Sequence, residues 1–372
     1  MSLPGALLPA WGYHLRDEFS IVGHYFLAMA LGILASTKGS GILTARRTPR
    51  DIVIAGGVLA CLALLALAVL APPAAWWTRA IGVAFIGFSA GILNSAAFQS
   101  LSTVYEQDPA ATVNLAGVLF GLGCLTTALF VSGTFYVYTV GSILVLLALI
   151  PAFAAGLYRR TEFAFPIAHT DQTWREIWQD VKSPGAVMFS LLLFFQNGNE
   201  WSVAGWLAIF LVHRIGVNPA TSLLMLAAYW LALLLGRIGA QALLPRVGHG
   251  KLLAASSLAA MLGSLILITT NNRFGAWSGI LMLGTGFAMI YPLAVEKIGH
   301  RFPNYHPGFF NGIFSFGMVG GLLAPWTLGF IAHAWGIQVV MMLPLVGTVM
   351  VFLLVLLLWI ENRLTAVNPD GR

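Results

Sequence analysis

Charge is scarce in this sequence. Only 9% of its 372 residues are Asp, Glu, Lys or Arg, against about 25% in a soluble domain, so a fold with a solvated surface all round is excluded. Cysteine is nearly absent. Cys61 and Cys124 both fall in apolar runs; neither a disulfide framework nor a thiolate metal site is expected, and both are read as small core residues. No Gly-rich loop followed by Lys and Ser/Thr occurs, which excludes a nucleotide-driven pump built into this chain. No nucleophile, base and orienting acid fall in a workable arrangement, so neither an enzyme nor a cofactor is expected.

What remains is apolar, 59% of the residues. Runs of about 20 residues, the length needed to cross a bilayer as helix, recur along nearly the whole chain. The expected spans are a fragment at 2–15, then 20–43, 51–71, 76–103, 109–133, 135–158, 185–212, 219–243, 249–270, 273–298, 307–334 and 336–361. This is an all-α membrane protein with eleven full helices and a partial first one.

Base exceeds acid, 19 residues to 13, but its placement argues against nucleic acid as a partner. Fifteen of the nineteen basic residues fall on one side of the expected helices, including Arg46, Arg50 and, at a helix end, Arg237. The other side holds Arg16, Arg79, Arg214 and Arg273. By the positive-inside rule the first side is cytoplasmic, together with the carboxyl terminus, and the expected location is the inner membrane of a bacterium.

The longest connection, 159–184, divides the chain into bundles at 1–158 and 185–372. It carries Trp174, Ile177, Trp178 and Val181 at helical spacing, the pattern of a short helix lying on the membrane surface. An offset of 197 residues pairs Gly39 with Gly236, Gly87 with Gly284, Asn94 with Tyr291 and Asn114 with Asn311, as in a parallel repeat of six helices. The same offset places about a dozen residues of the first helix ahead of Met1, so that helix is expected to be truncated.

Against this background FFQNGNEWSVAGW, residues 194–206, stands out. An ionised carboxylate near the bilayer centre costs about 2.5–3.5 kcal/mol on insertion scales, so Glu200 is expected to face a cavity or a proton path. Gln196, Asn199 and Glu200 stand at i, i+3 and i+4, with Trp206 a further seven residues after Asn199. One polar face with an aromatic neighbour is expected, a pairing that suits a sugar: amide and carboxylate groups bind its hydroxyls, and a ring supports its apolar face. Asn94, Asn114, Tyr291 and Asn311 are further substrate-binding candidates on other helices. For the two Asn of the repeat pair, helix packing is the competing role. Pro292 removes a backbone hydrogen bond and is expected to weaken its helix locally.

Two six-helix halves, a central linker and basic connections after spans 2 and 8 resemble the major facilitator superfamily. Gly198-x-Glu200-x-Ser202-x-x-Gly205-Trp206, Tyr229-Trp230 with Gly236-Arg237, Gly284-x-Gly286 with Tyr291-Pro292, and Gly317-x-x-Gly320-Gly321 with Pro325 are similar to the fucose-proton symporter and glucose/galactose transporter branch. The resemblance implies the major facilitator fold, and a gating or structural role is expected of Pro292, of Arg237 and of Arg46 and Arg50 after span 2. There GILTARRTPR keeps Arg46 and Arg50 but lacks the family's Asp and second Gly. It also implies that Asn94, in GILNSAAF, occupies the place of a fourth-helix Glu used for proton coupling. Asn does not titrate, which leaves Glu200 as the buried coupling candidate.

The function expected is a secondary transporter moving a monosaccharide or similar small polar solute by alternating access, with a proton or cation as possible coupling partner. The alternatives are an exporter of amphipathic compounds and a non-transporting receptor or inactive remnant.

Overall fold

The fold was obtained as a computed structural model that describes residues 2–11, 18–44, 47–100, 109–161, 183–302 and 307–367. Among the described residues twelve α-helices follow one another: α1 Ser2–Trp11, α2 Phe19–Thr44, α3 Pro49–Val69, α4 Trp76–Ser100, α5 Pro109–Thr134, α6 Val140–Tyr158, α7 Pro184–Ile215, α8 Pro219–Val247, α9 His249–Thr269, α10 Arg273–Arg301, α11 Pro307–Trp335 and α12 Met342–Val367. Ten of them are long and apolar enough to cross a membrane. The ten-residue α1 is not among them. Neither is α7, the longest at 32 residues, which carries Gln196, Asn197, Asn199 and Glu200 at its centre. Residues 162–182, with the expected surface helix, and Arg46 lie outside the described residues.

The helix ends are written locally. Gly216, at φ 70°, closes α7 in the left-handed conformation that glycine adopts without steric penalty. Two residues later the Asn218 side chain accepts from the Thr221 N–H at 2.8 Å, with Pro219 opening the helix. Ser183 with Pro184 and Thr48 with Pro49 use the same device for α7 and α3. A tight turn therefore makes α7 and α8 antiparallel neighbours, and this sets Glu200 against α8.

Helix neighbours repeat after six. In the first half α2 packs on α4, α3 on α4 and α6, and α1 on α5; in the second α8 packs on α10, α9 on α10 and α12, and α7 on α11. The halves meet along α2 with α11, α5 with α8, and α1 with α7. Most of the core is aliphatic and aromatic, as expected of helices packed in an apolar medium.

The halves are in close contact at one end. At the end that carries Trp76, a Cβ on Gly23 would stand 2.8 Å from the Trp326 carbonyl oxygen and 3.0 Å from the Gly329 Cα, so only glycine permits this approach of α2 to α11. Around that contact Phe19 lies edge-on to His213 at 5.5 Å, His24 lies 5.5 Å from Phe330, and Ser132 donates to the Ala220 carbonyl at 2.8 Å. Leu34 follows Gly23 by eleven residues, about 20° around the helix, yet it is 50% exposed. Ser315, on the matching side of α11, is exposed too. α2 and α11 therefore leave these two residues uncovered on the Arg50 side of their contact.

Candidate functional site

Glu200 is buried on α7, and Arg237 of α8 is buried beside it. Arg237 Nη2 lies 3.7 Å from Glu200 Oε1, with each side chain 8% exposed. The guanidinium is therefore a counter-ion within reach of the carboxylate and longer than a direct hydrogen bond. The sequence expectation that put Arg237 at a helix end is corrected here. α8 continues to Val247, and Arg237 follows buried Trp230 and Leu233 at helical spacing. That phase was the available signal.

The pair sits at the seam between the halves. Cys124 of α5 and Tyr229 of α8 lie within electrostatic range of both charges. From the first half, Gly117 of α5 faces the guanidinium so closely that a Cβ at residue 117 would overlap Nη1 and stand 3.2 Å from Cζ. Gln196, one turn before Glu200, is fully buried beside it without a hydrogen bond of good geometry. The Tyr229 hydroxyl, Trp230 Nε1 and Arg237 Nε are also buried, with no hydrogen-bond partner among the described atoms. Buried polar groups ordinarily have partners. An unfilled set around an ion pair is chemistry that suits a polar guest or water.

The polar stripe on α7 is not one binding face. Glu200 turns to Arg237 on α8, whereas Asn199 turns to α12, where its side chain meets Gly347. Trp206 turns to α11, donating from Nε1 to the Pro325 carbonyl at 3.0 Å while its ring lies 5.9 Å from that of Phe26. With no exposed surface, Trp206 is a packing residue in this conformation and not an open platform for a sugar ring. Spacings of three, four and seven suggested one face. In a helix surrounded by neighbours, a few tens of degrees send side chains to different partners.

Asn94 is exposed on α4, nine residues and therefore half a rotation from the exposed Phe85. Tyr291 is half-buried on α10, its ring 6.4 Å from Phe314. The helix runs unbroken through Pro292. Arg50 lies in the first turn of α3, half-buried. The side chains of Asn114 and Asn311 lie outside those described.

Sequence reasoning also missed a second buried cation. Arg79, expected at the outer end of the span 76–103, is 4% exposed inside the first half. Its Nε donates to the Tyr25 hydroxyl at 2.9 Å and its Nη1 to the Ala74 carbonyl at 2.9 Å, and its Cζ lies 5.8 Å from the centre of the Trp11 ring. Arg79 is in phase with buried Val83 and Ile86 on α4, so the signal was present. The cluster ties α1, α2 and α4 together and holds the guanidinium against aromatic faces.

Comparison with known proteins agrees with this architecture. The family model of the Major Facilitator Superfamily matches residues 1–325. An uncharacterized MFS-type transporter of Yersinia pestis is 24% identical over 334 residues, 86% of this chain and 81% of that one. A glucose/galactose transporter of Brucella abortus is 25% identical over 162 residues, 43% of this chain and 39% of that one. Among solved structures, the transporter FucP in the outward conformation superposes with a TM-score of 0.61 at 19% identity, covering 95% of this chain and 96% of that one. The nucleoside transporter NupG gives 0.67 at 12% identity, covering 95% of both. These relatives include members of the branch that the seventh-helix signature resembles. With a family model matched over most of its length and transporter relatives, the chain belongs to the Major Facilitator Superfamily and is a membrane transporter of the alternating-access type, not an enzyme.

Proposed function

We propose that the protein carries a monosaccharide or similar neutral polyol, coupled to protons through Glu200. The observation that carries this reading is the buried Glu200–Arg237 pair with Gln196 and Tyr229 beside it, whose side-chain polar atoms have no hydrogen-bond partner among the described atoms. The pair neutralises itself. What a guest can satisfy is then a set of uncharged donors and acceptors, which favours hydroxyls over an anion or a cation. The Brucella abortus relative is a glucose/galactose transporter, and the Escherichia coli neighbour is a fucose:proton symporter. Both support this substrate class.

The two bodies that move are residues 1–158 and 185–372, a division supported by the helix contacts that recur after six helices. The end near Arg50 and the carboxyl terminus face the cytoplasm of a bacterium, because Arg47, Arg159, Arg160, Arg246, Lys251 and Arg301 collect there. The exposure of Leu34 and Ser315 on that side of the Gly23–Gly329 contact supports an inward-facing reading of this conformation. An ionised Glu200 is held by Arg237. Proton uptake removes that attraction, leaves the guanidinium uncompensated, and biases the equilibrium between the two faces.

Counterflow in proteoliposomes tests the substrate class without a driving gradient. Vesicles preloaded with one unlabelled hexose or 6-deoxyhexose at a time should concentrate trace label transiently for at least one sugar. If no member of the panel does so in folded protein, while a hydrophobic dye is moved, the sugar reading is replaced by export of amphipathic compounds.

A further inference from the structure

Arg237 reaches Glu200 through a space that the other half of the molecule leaves empty. The guanidinium lies against Gly117 of α5, where any side chain at that position would occupy the volume of Nη1. One turn on, Gly121 is different: a Cβ there meets only Leu234 Cδ1, at the ordinary distance of 3.9 Å. The two glycines share a helix and a seam, but only Gly117 is required by an ion pair.

We propose that Gly117 is a positioning residue for the Glu200–Arg237 pair, so that the first half controls the ionised acid of the second by admitting or expelling its counter-ion. This rests on the reading of Glu200 as the coupling group. While α5 presents Gly117 to α8, the guanidinium is held in the arc that reaches Glu200. If the seam shifts by one turn toward the start of α5, Val113 or Asn114 takes the place of Gly117, and a side chain there pushes the guanidinium away from the carboxylate; a shift the other way brings Gly121, which leaves the space open. The groups that face the pair are Tyr229 from its own helix and Cys124 from α5. Among the described residues Arg237 is the charged group that acts on Glu200.

The proposal predicts a change of sign. In a helix, Ala is intrinsically favoured over Gly, so Gly117→Ala should stabilise the fold unless the methyl group expels Arg237. The full chain is unfolded reversibly in SDS-mixed micelles as wild type, Gly117→Ala, Glu200→Gln and the double variant, with Gly121→Ala as control. Gly117→Ala should raise the unfolding constant in wild type and lower it or leave it unchanged beside Glu200→Gln, a coupling of about tenfold or more. The pH-dependent part of the wild-type stability that Glu200→Gln removes should also be absent in Gly117→Ala. Gly121→Ala should be neutral or stabilising in both backgrounds.

An equal destabilisation by Gly117→Ala in both backgrounds would overturn the proposal, because it would mark simple overpacking. If Gly117→Ala alone fails to fold, the same comparison is made beside Arg237→Ala, where the methyl group should be accepted; destabilisation there overturns the proposal as well. The coupling reading fails by a separate result. If Glu200→Gln leaves pH-driven uptake intact while the coupling between residues 117 and 200 is found, Gly117 still positions the pair and the pair serves structure alone.

Discussion

Arg237 and Glu200 stand 3.7 Å apart on adjacent antiparallel helices, both buried, at the level where the two halves of the molecule touch. Such a pair is weak proof of stability, since taking two charges out of water consumes most of the attraction between them. Breaking it by removing one partner is another matter, because a charge is then left buried alone.

The first prediction follows from that asymmetry. Arg237→Met should destabilise the protein by about 3–5 kcal/mol, and Arg237→Met with Glu200→Gln should recover most of the loss. Unfolding of the purified variants in SDS-mixed micelles measures both. Equal stability of the single and double variants would mean that Glu200 is not charged in the folded protein.

The contact of Gly23 with Gly329 closes the Trp76 end. Gly329→Leu would hold α2 and α11 apart there, shift the population away from the observed conformation, and cover the opposite end. With Leu34→Cys as reporter in a Cys61→Ser, Cys124→Ala background, alkylation from the Arg50 end should slow by about tenfold. An unchanged rate would show that the glycine contact does not set which end is open.

Trp206 separates packing from binding. Trp206→Phe keeps a large ring and loses the Nε1 hydrogen bond to Pro325, at a cost of about 1 kcal/mol in stability. The half-saturating sugar concentration should stay within about twofold, a change well below the 1.4 kcal/mol that a tenfold loss requires. A large loss of apparent affinity with unchanged stability would return Trp206 to the binding site.

Tyr25→Phe removes the acceptor of the Arg79 Nε donor. A hydrogen bond to a charged group contributes about 1.5–3 kcal/mol, so a stability loss of that size is expected, with the pH dependence of transport unchanged. A shifted pH dependence would bring Arg79 into the coupling path.

Much of this molecule was legible before its structure. Apolar runs, the basic asymmetry of the connections and the offset of 197 residues gave the helices and their order, because the bilayer imposes length and composition on every span. Glu200 was legible for the same reason: an acid in a transmembrane helix is expensive. The partners were harder. Arg237 looked like part of a basic helix end because its helix runs ten residues beyond it. Gly117 could not be singled out, because nothing in a sequence says which neighbour fills the space that a glycine leaves. The grouping of Asn199 and Trp206 with Glu200 failed because periodicity gives direction around one helix but not the identity of the helix in that direction.

The most direct test of the account is accumulation driven by an imposed inward proton gradient, in proteoliposomes, of whichever labelled sugar the counterflow panel identifies. Wild type and Glu200→Gln are compared at equal amounts of folded protein. The account predicts that wild type accumulates the sugar above equilibrium, while Glu200→Gln still exchanges it but no longer concentrates it. Gradient-driven accumulation that survives intact in Glu200→Gln would contradict it.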